Sequence, residues 1–233
     1  MALFAISDLH LSFGVEKPMD IFGKKWEGHH FKIKENWQKV VRSHDTVILG
    51  GDLSWALKLK EADRDFDFVD RLPGTKVLFK GNHDYWWQSY AKVKKALPKS
   101  IYAVQNNFFV YESDIALCGT RGWTFPEGNK AEDKKIYRRE LIRLELSLNE
   151  AYQQGLRKYV VTLHYPPITA SGEESDFVEI MKKYGVKICI YGHLHGADHE
   201  KAFMGERDGI HYYFTSSDYL DFTPLGVNLD VFG

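Results

Sequence analysis

Cysteine is scarce, with two in 233 residues. That excludes a disulfide framework. Cys118 and Cys189 both sit in apolar, β-branched stretches, IALCG and VKICIYG, where a thiol reads as a small buried hydrophobe. Long apolar runs are missing as well. No stretch approaches the roughly 18 residues that a membrane span needs. The first apolar run, Ala2–Ile6, is too short for a secretory signal and has no basic flank, so a cytoplasmic location is expected. Nor does either charge predominate. Lys plus Arg number 31 and Asp plus Glu 32, for a net charge of −1. This balance argues against general nucleic-acid binding and against a basic membrane anchor. With 44% hydrophobic and 27% charged residues, disorder, collagen-like sequence and coiled coil are excluded as the main class. Internal repeats, low-complexity tracts and a clear linker are all absent. One domain over 1–233 is expected.

Short apolar runs alternate with amphipathic segments. Strands are predicted at Leu3–Ile6, Thr46–Leu49, Lys76–Phe79, Tyr159–Leu163, Lys187–Tyr191 and Ile210–Phe214. A hairpin is expected from Phe108 to Cys118, turning near Ser113–Asp114. Helices are predicted at Ile33–Ser43, Leu59–Leu72, Tyr85–Ala96, Lys130–Gln154 and Glu174–Tyr184. The alternation points to an α/β fold with a largely parallel sheet. In Lys130–Gln154, Tyr137, Leu141, Leu144, Leu148 and Ala151 share one helix face. That face either packs on the sheet or forms a homodimer seam. Leu11–Phe31 is long for a connection between strand and helix, which points to a functional or mobile loop. The most loop-like segment in the middle of the chain is Gly119–Gly128.

Ten histidines are present, and they are unevenly placed. Five small motifs occur in order: Asp8-Leu9-His10, Gly51-Asp52, Gly81-Asn82-His83-Asp84, His164, and Gly192-His193-Leu194-His195. Singly they are weak. Each begins where an apolar strand stops: ALFAIS-DLH, TVILGG-D, KVLFKG-NHD, KYVVTL-H and KICIYG-HLH. Ligands of open α/β sheets bind at the carboxyl ends of strands, so five strands deliver Asp, His and Asn side chains to one edge. Carboxylate, carboxamide and imidazole donors without a thiolate suit Mn, Fe or Zn. Two such ions would carry +4 against the −2 of Asp8 and Asp52, a balance that favours an anionic phosphoryl substrate over a neutral amide.

The ordered pattern DxH…GD…GNHD…H…GHxH resembles the calcineurin-like metallophosphoesterases, over most of the chain. The resemblance implies a four-layer α/β/β/α sandwich, two packed mixed β-sheets flanked by helices. It implies that Asp8, His10, Asp52 and His195 hold one divalent ion. Asp52 is then shared with a second ion, completed by Asn82, His164 and His193. The expected function is a phosphoesterase acting on a small phosphorylated molecule by in-line attack of a metal-bridging hydroxide, with Asp52 and His83 as catalytic residues and His83 as general acid. A cyclic- or dinucleotide phosphodiesterase of the same fold is the alternative. A non-catalytic metal-binding scaffold is the alternative from another class. The chain departs from the family at Trp55, where many members carry a second Asp that orients the catalytic histidine. This leaves the partner of His83 open, with Asp84 as a neighbour in sequence.

Candidate substrate contacts are Asn82, His83, Arg121 and Trp123. Arg121 either clamps a phosphate or pairs with a carboxylate. Trp55, Trp86, Trp87 and Trp123 either wall the site or pack helices on the sheet. His29 and His30 read as a solvated pair ending the first loop, and His44, His199 and His211 as structural or exposed. Ser216–Pro224 is a candidate substrate wall.

Overall fold

The computed structural model describes residues 1–112, 114–125 and 131–233. Strands β1 (Leu3–Ile6), β2 (Thr46–Leu49), β3 (Thr75–Leu78) and β4 (Ile101–Ala103) run parallel in one sheet. The second sheet is built on β5 (Phe109–Tyr111), β6 (Ile115–Thr120), β7 (Lys158–Leu163), β8 (Ile188–Tyr191), β9 (Gly205–Arg207) and β10 (Ile210–Phe214). Its order is β5-β6-β7-β8-β10-β9, with parallel pairing in the middle and antiparallel pairs at both edges. β11 (Leu225–Gly226) returns to the first sheet antiparallel to β1, giving the order β11-β1-β2-β3-β4.

Alternation along the strands explains why both sheets read as continuous apolar runs. In β1 and β2, Leu3, Ala5 and Ile48 face the other sheet, meeting Val160, Ile188 and Ile190 in a shared inner core. Their neighbours Ile6, Val47 and Leu49 face outward, onto α1 (His29–Val40) and α2 (Asp63–Asp70) through Ile33, Trp37, Phe66 and Val69; α3 (Tyr90–Ala96) adds Val93 to the same core. On the far side Tyr159, Val161, Leu163 and Cys189 meet α4 (Ala131–Gln153) and α5 (Asp176–Tyr184). The result is the expected α/β/β/α order, two mixed sheets flanked by helices. Tyr137, Leu144, Leu148 and Ala151 of α4 are buried in the core against the second sheet, so that face packs inward. Cys118 and Cys189 are both buried and unpaired.

Some boundaries differ from expectation. Leu59–Ala62 forms a 3-10 turn before α2. α3 starts at Tyr90 instead of Tyr85, and α1 starts at His29 instead of Ile33. His29 is therefore buried at a helix start and is not a solvated loop residue. Gly119 and Thr120 belong to β6, not to a loop. The expected hairpin turn at Ser113, the end of the Gly119–Gly128 segment and the helix start at Lys130 lie outside the described residues. No described helix is long and apolar enough to cross a membrane.

The sheets meet where β1 and β10 run on past their last apolar residues. Ser7 and Ser216 form a parallel bridge, Ser7 N–H donates to Thr215 O at 2.7 Å, and Ser217 N–H donates to Ser7 O at 3.0 Å. This seam lies directly beneath the first motif.

Candidate metal centre and its cavity

The backbone must turn sharply at each strand end to aim side chains inward. Asp8, His10, Asp52 and His193 all take positive φ, at 61°, 46°, 52° and 76°. Such conformations cost non-glycine residues of order 1–3 kcal/mol each and cluster at functional sites. Two glycines permit the crowding. A Cβ on Gly81 would stand 2.0 Å from Asp52 Oδ1, and one on Gly192 would stand 2.4 Å from Asp8 Oδ2.

The side chains converge. One ligand atom from each of Asp8, His10 and His195 lies within 4.8 Å of the others, and the same holds for Asp8, Asp52 and His164. His10 Nε2 and His195 Nε2 face each other at 3.4 Å. Asp52 Oδ2 lies 3.3 Å from His164 Nε2 and 3.9 Å from His10 Nε2, so Asp52 stands between the two groups. Asn82 Oδ1 is 2.8 Å from His164 Nε2. The His193 ring centroid is 5.1 Å from that of His164, and its backbone N–H donates to Asp8 Oδ2 at 2.9 Å. All seven expected ligand positions are therefore neighbours.

Outer partners fix the imidazoles. The Gly50 carbonyl lies 3.0 Å from His164 Nδ1 and can only accept, which turns the Nε2 lone pair of a neutral ring toward Asp52. His195 Nδ1 donates to Asp218 Oδ1 at 2.9 Å, and His199 Nε2 lies 3.0 Å from Asp218 Oδ2. A carboxylate that accepts the second ring N–H, as Asp218 does for His195, is a typical support of a metal-ligating histidine. Asp8 Oδ2 also accepts from Ser216 Oγ at 2.9 Å, whereas Asp8 Oδ1 is buried with no hydrogen-bond partner.

Electrostatics follow from burial and proximity. Burial opposes the charge on Asp8, but His164, His195 and His10 outweigh it and hold the carboxyl far below the usual range. The same contest lowers Asp52 to about 2, with His164 the chief opponent of burial. His164 rises to about 9 against its burial because Asp52 and Asp8 adjoin it, and His195 rises to about 10 through Asp218 and Asp8. Burial pushes His10 and His193 down to about 4. Two buried aspartates, an orphaned carboxylate oxygen and imidazole nitrogens turned toward one another form a donor set that fits divalent cations, which would take the place of protons here.

A cavity of about 500 Å³ opens beside the cluster, lined by His10, His83, His195, Trp26, Trp55 and Phe22 among others. Trp55 stacks on His10 at 4.8 Å and lies 4.4 Å from the His83 ring. His83 Nδ1 is buried without a hydrogen-bond partner, and burial lowers the ring's pKa. Asp84 does not orient His83. Its carboxylate accepts from the backbone N–H groups of Asp52, Leu53, Ser54 and Gly81, and from Trp86 Nε1. Trp86 and Trp87 are core residues. The Arg121 guanidinium lies 3.5 Å from Glu140 and over the Trp123 ring, while Trp123 approaches the cluster through Tyr165, whose ring is 4.0 Å from that of His193. Sequence reasoning missed Trp26, Tyr165 and the role of Asp218. The last had a signal: HYYFT-SSD repeats the pattern of an apolar strand followed by polar residues.

No curated protein matches the chain. Among solved structures, a protein of unknown function from Aquifex aeolicus is similar over 97% of this chain and 95% of its own, at 19% identity and TM-score 0.51. A phosphopantetheinyl hydrolase from Mycobacterium tuberculosis is similar over 98% of this chain and 96% of its own, at 14% identity and TM-score 0.58. At these identities the likeness concerns the fold. The family model for calcineurin-like phosphoesterases matches residues 1–197, the stretch that contains all five motifs. With that span matched and the two-sheet sandwich in place, the chain belongs to the calcineurin-like phosphoesterase family.

Proposed function

We propose that this chain is a dinuclear metal-dependent phosphoesterase acting on a small phosphorylated molecule, with 1–233 working as one domain. The observation that carries the reading is the convergence of Asp8, His10, Asp52, His164 and His195 within a few ångströms, beside a cavity of about 500 Å³. Asp8, His10, Asp52 and His195 would hold one ion, and Asp52, Asn82, His164 and His193 the other. Divalent ions bound there supply Lewis acidity toward phosphoryl oxygens and lower the pKa of coordinated water.

The chain's own residues do the rest. Asp218 and the Gly50 carbonyl hold His195 and His164 in the tautomer that presents Nε2. Asp52 keeps His83 in place through the backbone, since His83 N–H donates to Asp52 Oδ1 at 2.7 Å. His83 lines the cavity and is assigned proton donation to the leaving oxygen. A phosphoryl anion beside the ring favours its protonated form. Trp26, Trp55, Phe22 and Met19 set apolar faces among the cavity's imidazoles, which suits an ester whose leaving group has an apolar or planar body.

The test is a panel of phosphomonoesters, phosphodiesters and nucleotides assayed with Mn²⁺, together with elemental analysis of the purified protein. About two ions per chain and turnover of at least one ester class are expected. A fully loaded protein that turns over no ester would favour the scaffold reading. Preference for diesters would favour the phosphodiesterase.

A further inference from the structure

A second cavity of about 500 Å³ lies between α1 and α2 and shares no lining residue with the one beside the metal centre. Its walls are aromatic. Phe13 packs against Phe68 at 5.1 Å and edge-on to His30 at 5.2 Å, and Phe31, 65% exposed, lies against His30 at 4.1 Å. Its rim is cationic, carrying Lys34, Arg64 and Arg71 against the single carboxylate of Asp67. Among the described residues none of the three cations has an ion-pair partner, and Arg64 donates only to the Phe13 carbonyl, at 3.3 Å. Elsewhere on the surface, cations such as Lys25, Lys158, Lys183 and Arg207 sit against carboxylates. Here they ring an apolar floor instead.

We infer that this cavity is a binding site for a small molecule with a flat apolar body and one or two negative charges. The floor provides stacking faces and edges for the body. The guanidinium groups supply planar donors to a carboxylate, sulfonate or phosphate. The volume is that of a small-molecule site. A neutral apolar ligand would leave the three cations unused, and a cation would be repelled by them.

The probe is 8-anilinonaphthalene-1-sulfonate, which is flat, monoanionic and free of any phosphoester. Its fluorescence is titrated against the folded full chain at low salt, beside the neutral analogue N-phenyl-1-naphthylamine. One site is expected, with the anion binding about tenfold or more tightly than the neutral analogue. Arg64→Glu combined with Arg71→Glu should weaken the anion by about tenfold or more and leave the neutral analogue unchanged, because two attractive charges become repulsive ones. Both arginines are exposed, so the variant should fold as the parent does. Trp55→Ala, in the other cavity, should leave the anion's affinity within about twofold. Unchanged anion affinity in the double variant overturns the inference. So does loss of binding in Trp55→Ala, which would move the probe to the metal centre.

Discussion

Asp52, His83 and Asp84 stand close together and carry different duties. Asp52 lies between the two donor groups, so Asp52→Asn should reduce metal content from about two ions to less than one and lower turnover by more than about 100-fold; full occupancy with normal rates would contradict the shared role. His83→Ala should keep both ions and lower turnover by about 10²–10⁴-fold, most for poor leaving groups. Equal losses for good and poor leaving groups would remove the proton-donor assignment. Asp84 gathers four backbone N–H groups and an indole N–H, two or more on each oxygen. In Asp84→Asn the new amide faces donors whichever way it turns. That should cost about 2–4 kcal/mol in urea unfolding, and an unchanged midpoint would show the loop is held otherwise. The donor residues were legible in the sequence because each directly follows an apolar run. The duty of Asp84 was not, since it depends on two strand ends lying side by side. Nor was Trp26, which reaches His10 and His195 from inside a long connection.

At the level of elements, α2 ends on a buried lysine of β3. Lys76 Nζ donates to the carbonyls of Asp70 and Leu72 and to Ser100 Oγ, closing the helix C-terminus. Burial lowers its pKa from 10.5 to about 8. Below pH 8 the residue is charged in both states and folding carries the full desolvation cost. Between pH 8 and 10.5 the folded state gives up its proton first, so this group's contribution to stability rises with pH. Relative to Lys76→Met, the parent should gain about 2 kcal/mol between pH 7.5 and 9.5 in urea unfolding. A constant difference would mean the ammonium is solvated in the native state. The long strands were legible because both faces are buried and the runs are unbroken. β4, β9 and β11 span two or three residues each and offer no period to read. α1 follows Gly28, at φ 61°, without a side-chain cap, so no Ser, Thr, Asp or Asn announces its start. The segment before α3 is a loop held at its start by Asp84, which accepts from Gly81 N–H and Trp86 Nε1.

Across the whole molecule, the donors are divided between the sheets: Asp8, His10, Asp52 and Asn82 follow β1, β2 and β3, while His164, His193 and His195 follow β7 and β8. Cations held by both sets would clip the sandwich shut. Saturating metal at about 100 times its dissociation constant should therefore add about 2.7 kcal/mol for each ion bound over chelator-stripped protein, or roughly 5–10 °C per ion in melting temperature for a chain of this length. Identical calorimetric melts would argue that no ion spans the sheets. The seam at Ser7 and Ser216 has a further consequence, for biosynthesis. Asp8 is synthesised 208 residues ahead of Ser216, whose hydroxyl donates to its Oδ2, and well ahead of His195 and Asp218, which are hydrogen-bonded to each other. At about 5–20 residues per second, Asp8 waits roughly 10–40 s for these supports. A metal centre built on Asp8 would thus be completed only after Asp218 has been made.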